Sequence, residues 1–200
     1  MHPVTRFKRF AAAITLAAAL PASAGVIDFD DSNAPGLFAG TVALSDRYAA
    51  LGLTFSGASG VGGAIINQAA ELGFMARSGT DFLAFNVEGG TGRDERMSFA
   101  SAQDAVSIHA ATYEEGTFTM TAFDGSGNVL GFISRATSRD WQALTLNHAG
   151  MRSVVVASTT SGWGLDDLSF DAAGQVPEPA GLTLMGAGLL GFFAARRRRV

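Results

Sequence analysis

From Thr117 to Phe123 the chain reads threonine, apolar, threonine, apolar: Thr117-Phe118-Thr119-Met120-Thr121-Ala122-Phe123. A repeat of two cannot line one face of a helix, whose side chains recur every 3.6 residues. It does line one face of a strand, where successive side chains alternate across the pleat. Phe118, Met120 and Ala122 are thus predicted to face a core and the threonines to face outward. Asp124-Gly125-Ser126-Gly127-Asn128 follows, a turn with two glycines able to take positive φ. Val129-Leu130-Gly131-Phe132-Ile133-Ser134 then returns as the partner strand, with Phe132 expected in the core. Similar runs recur at Val26–Phe29, Leu53–Phe55, Phe82–Val87, Met97–Phe99, Ala105–Ala110, Ala143–Leu146, Ser153–Ala157 and Leu165–Phe170. Only Ser45–Leu51 and Asn67–Leu72 suggest a helical turn. Nine or ten short strands divided by glycine-rich or polar loops predict an all-β, antiparallel β-sandwich.

Both ends of the chain differ from this body. Arg6, Lys8 and Arg9 precede an alanine-rich apolar stretch from Phe10 to Leu20, and Ala22-Ser23-Ala24 offers the small residues of a cleavage site. Residues 1–24 therefore read as a signal peptide, with the cut expected between Ala24 and Gly25. At the other end Val176, Pro177, Glu178 and Pro179 are followed by an apolar run from Ala180 to Ala195. That run contains Leu182, Leu184, Leu189, Leu190, Phe192 and Phe193, and leads into Arg196, Arg197, Arg198 and Arg199. Two prolines in three residues exclude helix and central strand at the junction. The run is sixteen residues long, at the lower edge of a membrane-spanning helix. The arginines would stay on the cytoplasmic side. This three-part order resembles the PEP-CTERM sorting signal of Gram-negative bacteria. The resemblance implies an exosortase, a membrane transpeptidase, as processing partner. It also implies transient membrane attachment, and export to the cell envelope, the surface or the medium. An ordinary single-pass anchor is the other reading of the same residues. Residues 25–175 are then the exported domain, and residues 176–200 the sorting signal.

Within residues 25–175 there are seven arginines, no lysine and seventeen acids, a net charge of −10. Phosphate backbones and anionic lipids would be repelled by such a body as a whole, so no nucleic-acid partner is expected. Cysteine is absent, so the core must stabilise the domain without disulfides, and thiol chemistry is excluded.

Gly162-Trp163-Gly164-Leu165-Asp166-Asp167-Leu168-Ser169-Phe170 resembles the closing strand of many jelly-roll domains. Val26-Ile27-Asp28-Phe29-Asp30 is similar to the opening segment of other exported PEP-CTERM proteins. In such folds the first and last strands lie side by side, which would gather Asp28, Asp30, Asp166 and Asp167. Lectin-like jelly rolls hold a structural calcium at that place, so the resemblance nominates Asp30 and Asp167, with Asp28 and Asp166 as alternates. Carboxylate oxygens suit a hard cation. Simple alternation sends Asp166 and Asp167 to opposite faces, which would admit only one of them to a single site. The bland alternative is that these acids cap strand ends.

A sugar site needs an exposed aromatic platform beside polar groups, and Trp141, Tyr113 and Trp163 are the candidates. Trp141 is expected to be at least half exposed, given its neighbours Arg139 and Asp140; Trp163 has core packing as its plainer reading. No nucleophile, zinc or phosphate-loop motif surrounds His109, His148 or the Glu114-Glu115 pair. The chain is therefore read as non-enzymatic, an exported component of an exopolysaccharide-rich matrix or biofilm. The alternative is a lectin-like carbohydrate-binding module with structural calcium.

Overall fold

A computed structural model of the chain describes residues 24–36, 42–57, 62–70, 73, 75–84 and 93–171. The segment up to residue 23, which the sequence reads as most of a signal peptide, lies outside the described residues, as do the Pro-Glu-Pro motif, the apolar run and the arginine tail. Ten strands form: β1 (Ala24–Ile27), β2 (Val42–Ala43), β3 (Leu53–Gly57), β4 (Ala64–Asn67), β5 (Asp81–Ala84), β6 (Asp94–Thr112), β7 (Gly116–Phe123), β8 (Val129–Thr137), β9 (Gln142–Ser158) and β10 (Trp163–Asp171). Among the described residues every strand pairing is antiparallel. Among the described residues the helical turns are short 3-10 segments at Asp30–Ser32, Ala49–Leu51 and Gln68–Ala70. Among the described residues no helix is long and apolar enough to cross a membrane.

The strand order is β2-β4-β5-β10-β6-β9-β7-β8, with β1 added to β10 and β3 to β6. Two long strands turn this ribbon into a sandwich. β6 and β9 pair along both halves, and their register shifts between Ser98 and Ala105. A shift of this kind bends a strand and increases its twist. The C-terminal half of β6 and the N-terminal half of β9 join β10, β5, β4, β2 and β1 in the first layer. The remaining halves join β3, β7 and β8 in the second.

The core lies between the layers. Ile65, Leu83, Ile108, Ala110, Leu144 and Leu165 come from the first, and Leu53, Met97, Phe118, Met120, Val154 and Val156 from the second. Ring contacts bridge them: Phe118 meets Trp163 edge-on with centroids 6.0 Å apart, and Phe99 meets Phe170 at 5.4 Å. Phe118, Met120 and Ala122 are buried, as their alternation predicts. Phe132 is not a core residue; it is 69% exposed. Met120 pairs with Ile133, so Ile133 shares the inward face and Phe132, opposite Thr121, faces out. A strand apolar on both faces does not reveal its phase by alternation alone. The Asp124–Asn128 turn forms as a plain hairpin. The Asp124 carboxylate accepts hydrogen bonds from the Ser126 and Asn128 amides and from the Asn128 side chain. These bonds, led by the Asn128 side chain, hold its pKa below the ordinary carboxylate value.

Candidate functional site

The outward face of the first layer is built over small residues. Ala84, Gly164 and Ala111 stand in register across β5, β10 and β6. None carries a side chain beyond Cβ, which leaves room above them for large side chains from either flank. Trp141, just before β9, meets Phe82 of β5 edge-on at 5.9 Å. Its indole Nε1 donates to the Met75 carbonyl at 3.0 Å. Trp141 is therefore partly buried against the core rather than a protruding platform. The neutral edge of an indole gains more by covering Phe82 and meeting a carbonyl than by standing in water.

Tyr113 is 46% exposed. The Arg139 guanidinium lies 4.6 Å from its ring centroid, and Arg139 Nε donates to the Tyr113 carbonyl at 3.3 Å. Gly73 sits against the same ring at φ +92, and any Cβ there would strike it. Trp163 is fully buried, so the structure places it in the core with Phe118 and away from Tyr113 and Trp141.

β1 and β10 lie side by side, with Ile27 opposite Leu168. Asp30, Asp166 and Asp167 consequently meet the segment 75–81. Asp166 Oδ2 accepts from the Arg77 amide at 2.8 Å and the Ser78 amide at 3.2 Å. Asp167 accepts from the Ser78 hydroxyl at 2.7 Å and forms an ion pair with the Arg77 guanidinium. The expectation that alternation separates these two carboxylates is corrected here. β10 has a register shift between Asp166 and Ser169, and Asp167 takes a left-handed φ of 46, so both side chains reach residues 77 and 78. Asp30 Oδ1 accepts from the Thr80 and Asp81 amides at 2.7 and 3.0 Å. Phe29, buried at φ 64, turns the chain to aim Asp30 there. Asp28 is exposed and accepts only the Asp30 amide, at 3.2 Å.

These partners do not fit a calcium cage. A cation needs six to eight converging oxygens, whereas here the carboxylates converge on N–H and O–H donors. Among the described residues no group of three or more His, Asp or Glu side chains is disposed to hold a metal. The arrangement is a clasp: acids on β10 and after β1 fasten segment 75–81 across the sheet. Burial pushes the Asp166 carboxyl up to about 7, against the lowering effect of its three backbone donors. His109, in register with Asp166 on β6, has its pKa lowered, chiefly by burial and then by Arg77, with Asp167 opposing. Its Nδ1 is buried without a partner.

Three residues went unforeseen in the sequence: Arg77 and Ser78, which sit in a loop with no motif, and Glu95. Glu95 precedes the apolar run Met97–Phe99 and carries no pattern of its own. In fact β6 starts at Asp94, and Glu95 is fully buried, accepting only from the Gly63 amide at 2.9 Å. Burial, first of all, raises its pKa to about 8.

The sequence behind this body matches a known family model over residues 175–199, that of the PEP-CTERM protein-sorting motif. The chain carries a PEP-CTERM sorting signal. A PEP-CTERM motif indicates an exported protein and implies an exosortase partner. Val176–Pro179, the apolar run and Arg196–Arg199 all fall within the matched residues. No curated protein is similar in sequence. Among solved structures, the chain is similar to the CBM22-1 xylan-binding domain of Paenibacillus barcinonensis Xyn10C. The identity is 14%, the match covers 78% of this chain and 97% of that one, and the TM-score is 0.39. It is also similar to the carbohydrate-binding module CBM6cm-2 of Cellvibrio mixtus lichenase 5A, solved with cellotriose. There the identity is 15%, the match covers 66% of this chain and 86% of that one, and the TM-score is 0.28.

Proposed function

We propose that this PEP-CTERM protein is a non-enzymatic component of the cell envelope or extracellular matrix, delivered by exosortase processing near Pro177-Glu178-Pro179. The observation that carries the reading is the sorting motif at residues 175–199, placed directly after an all-β body. Such a body offers surfaces for contact with exopolysaccharide. The apolar run would hold the chain in the membrane while the arginines stay on the cytoplasmic side. The test is to replace Arg196–Arg199 together with glutamine in a host that encodes an exosortase, and to follow the protein by fractionation. Accumulation of an unprocessed form, with less protein at the surface, is expected. Unchanged fractionation and size would overturn the reading.

A second reading, a carbohydrate-binding module, is favoured by the exposed Tyr113 ring backed by Arg139. A sugar would stack on the exposed part of that ring, while Trp141 holds segment 75–81 through the Met75 carbonyl. Tyr113→Ala should abolish binding to a responsive neutral glycan, and retention of binding would rule this platform out.

A further inference from the structure

β1 carries the bond at which the signal peptide is expected to be cut. Its residues Ala24–Ile27 pair one for one with Asp171, Phe170, Ser169 and Leu168 of β10. The Ala24–Gly25 bond therefore lies within the sheet, opposite the bond between Phe170 and Asp171. Gly25 and Ile27 are buried, while Val26 between them faces out. Just beyond the strand, Phe29 is fully buried and meets Tyr48 and Phe55 edge-on, with centroids 6.1 and 6.4 Å away. Two core anchors, Ile27 and Phe29, thus follow the bond directly.

A protease takes its substrate as an extended segment, so a bond held in a packed sheet is cut only through an opened state. Opening here means stripping β1 from β10 and drawing Ile27 and Phe29 out of the core. The sequence leaves little slack for this. Its first apolar stretch ends at Leu20, and the chain from there to Ala24 reaches at most about 14 Å when fully extended. The chain leaves the sheet beside its point of entry, because Asp171 is the partner of Ala24. From Asp171 to Val176 the reach is at most about 18 Å. A folded, uncut body would therefore be moored to the membrane by both ends, with the bond locked between them.

Among the described residues β1 pairs with β10 alone, and β10 is the last strand of the body in chain order. During export β1 would accordingly wait without its partner until the end of the body has crossed. We propose that this connectivity sets the order of maturation: the signal peptide is removed before β1 closes on β10, and closure then protects the bond. In the cut, catalysed by a signal peptidase, water adds across the Ala24–Gly25 amide. A carboxylate is left on Ala24 and an ammonium group on Gly25. Gly25–Ile27 then close on β10, and the sorting signal remains as the membrane attachment. The proposal rests on the reading of residues 1–24 as a signal peptide and goes beyond it in assigning the order.

The test uses full-length precursor, accumulated with signal peptidase inhibited and purified in detergent micelles. Precursor diluted from urea into purified signal peptidase should be cut rapidly at first, and cutting should cease as the chain folds. Precursor folded beforehand should be cut about tenfold or more slowly. Ile27→Ser removes one anchor without touching the small residues before the bond, and should restore rapid cutting; circular dichroism checks that the sheet persists. Val26→Cys with Ser169→Cys, added to Ile27→Ser, places two thiols on facing residues of a chain with no cysteine of its own. Facing Cα atoms lie about 4.5–5.5 Å apart, within disulfide reach. Oxidising this pair should bring back the slow rate, and dithiothreitol should release it. Equal rates for folded and freshly diluted wild-type precursor, or for the oxidised and reduced pair, would overturn the proposal. Failure of the signal-peptide reading itself looks different: the freshly diluted chain would then not be cut at all, or mass spectrometry would find a new N-terminus other than Gly25.

Discussion

Phe118 and Phe132 sit on neighbouring strands and look alike in sequence, yet their side chains meet opposite environments. Phe118→Ala removes a buried ring that contacts Trp163 across the sandwich, and thermal or denaturant unfolding should show a loss of about 3–5 kcal/mol. Phe132→Ala should change stability by less than about 0.5 kcal/mol. The interior strand β7 is legible because threonines fill its outer row; β8 is not, because Val129, Leu130, Phe132 and Ile133 supply apolar groups to both faces. Glu95 was hidden for a different reason, since nothing local in Asp94-Glu95-Arg96 tells which acid the register turns inward. Its pKa lies near 8 in the folded protein, above the ordinary 4.5. The folded state therefore holds the proton more tightly than the unfolded chain. The stability this brings is full below pH 4.5 and is lost as pH rises through about 8. Melting temperature measured across that range should fall with pH, and Glu95→Gln should flatten the decline. Asp166, at about 7, adds a drop of the same sign over a lower window.

At the level of the element, segment 75–81 is held by side chains from three distant parts of the chain: Asp30, the Asp166-Asp167 pair and Trp141. Its first and last strands were expected to be adjacent, and they are. What the sequence could not disclose is the bulge at Asp167, because a register shift depends on both partners and no local residue marks it. Chelation should leave the melting temperature of the protein unchanged, since the carboxylate oxygens are already met by N–H and O–H donors; a clear drop with chelator would show a bound cation. Asp30→Ala strips the acceptor from the Thr80 and Asp81 amides and should cost about 1 kcal/mol or more. Amide hydrogen exchange is the direct readout, with faster exchange at 77–81 expected and β7 unaffected. Gly79→Ala should loosen the same clasp, because φ there is +51 and a Cβ would collide with the Asp30 carboxylate.

For the whole molecule, β6 and β9 each belong to both layers, so neither layer can come apart while the other stays intact. Unfolding should be a single transition in which tryptophan fluorescence and far-UV circular dichroism coincide; separate midpoints would contradict this coupling. The all-β class and the sorting signal were both legible, the first from a repeat of two and the second from the order of motif, apolar run and arginines. The layer assignment was not, because it follows from pairings between residues far apart in the chain, as between Met97 and Val154. β10 also has a mechanical meaning. It is the last described strand before the sorting signal, and it is flanked by β6 on one side and by β5 and β1 on the other. A pull on the tether would run along its axis and load the hydrogen bonds on both sides together in shear, rather than opening them one by one. If the proposed C-terminal attachment holds in flowing liquid, the protein would thus take up drag through a strand paired along both edges.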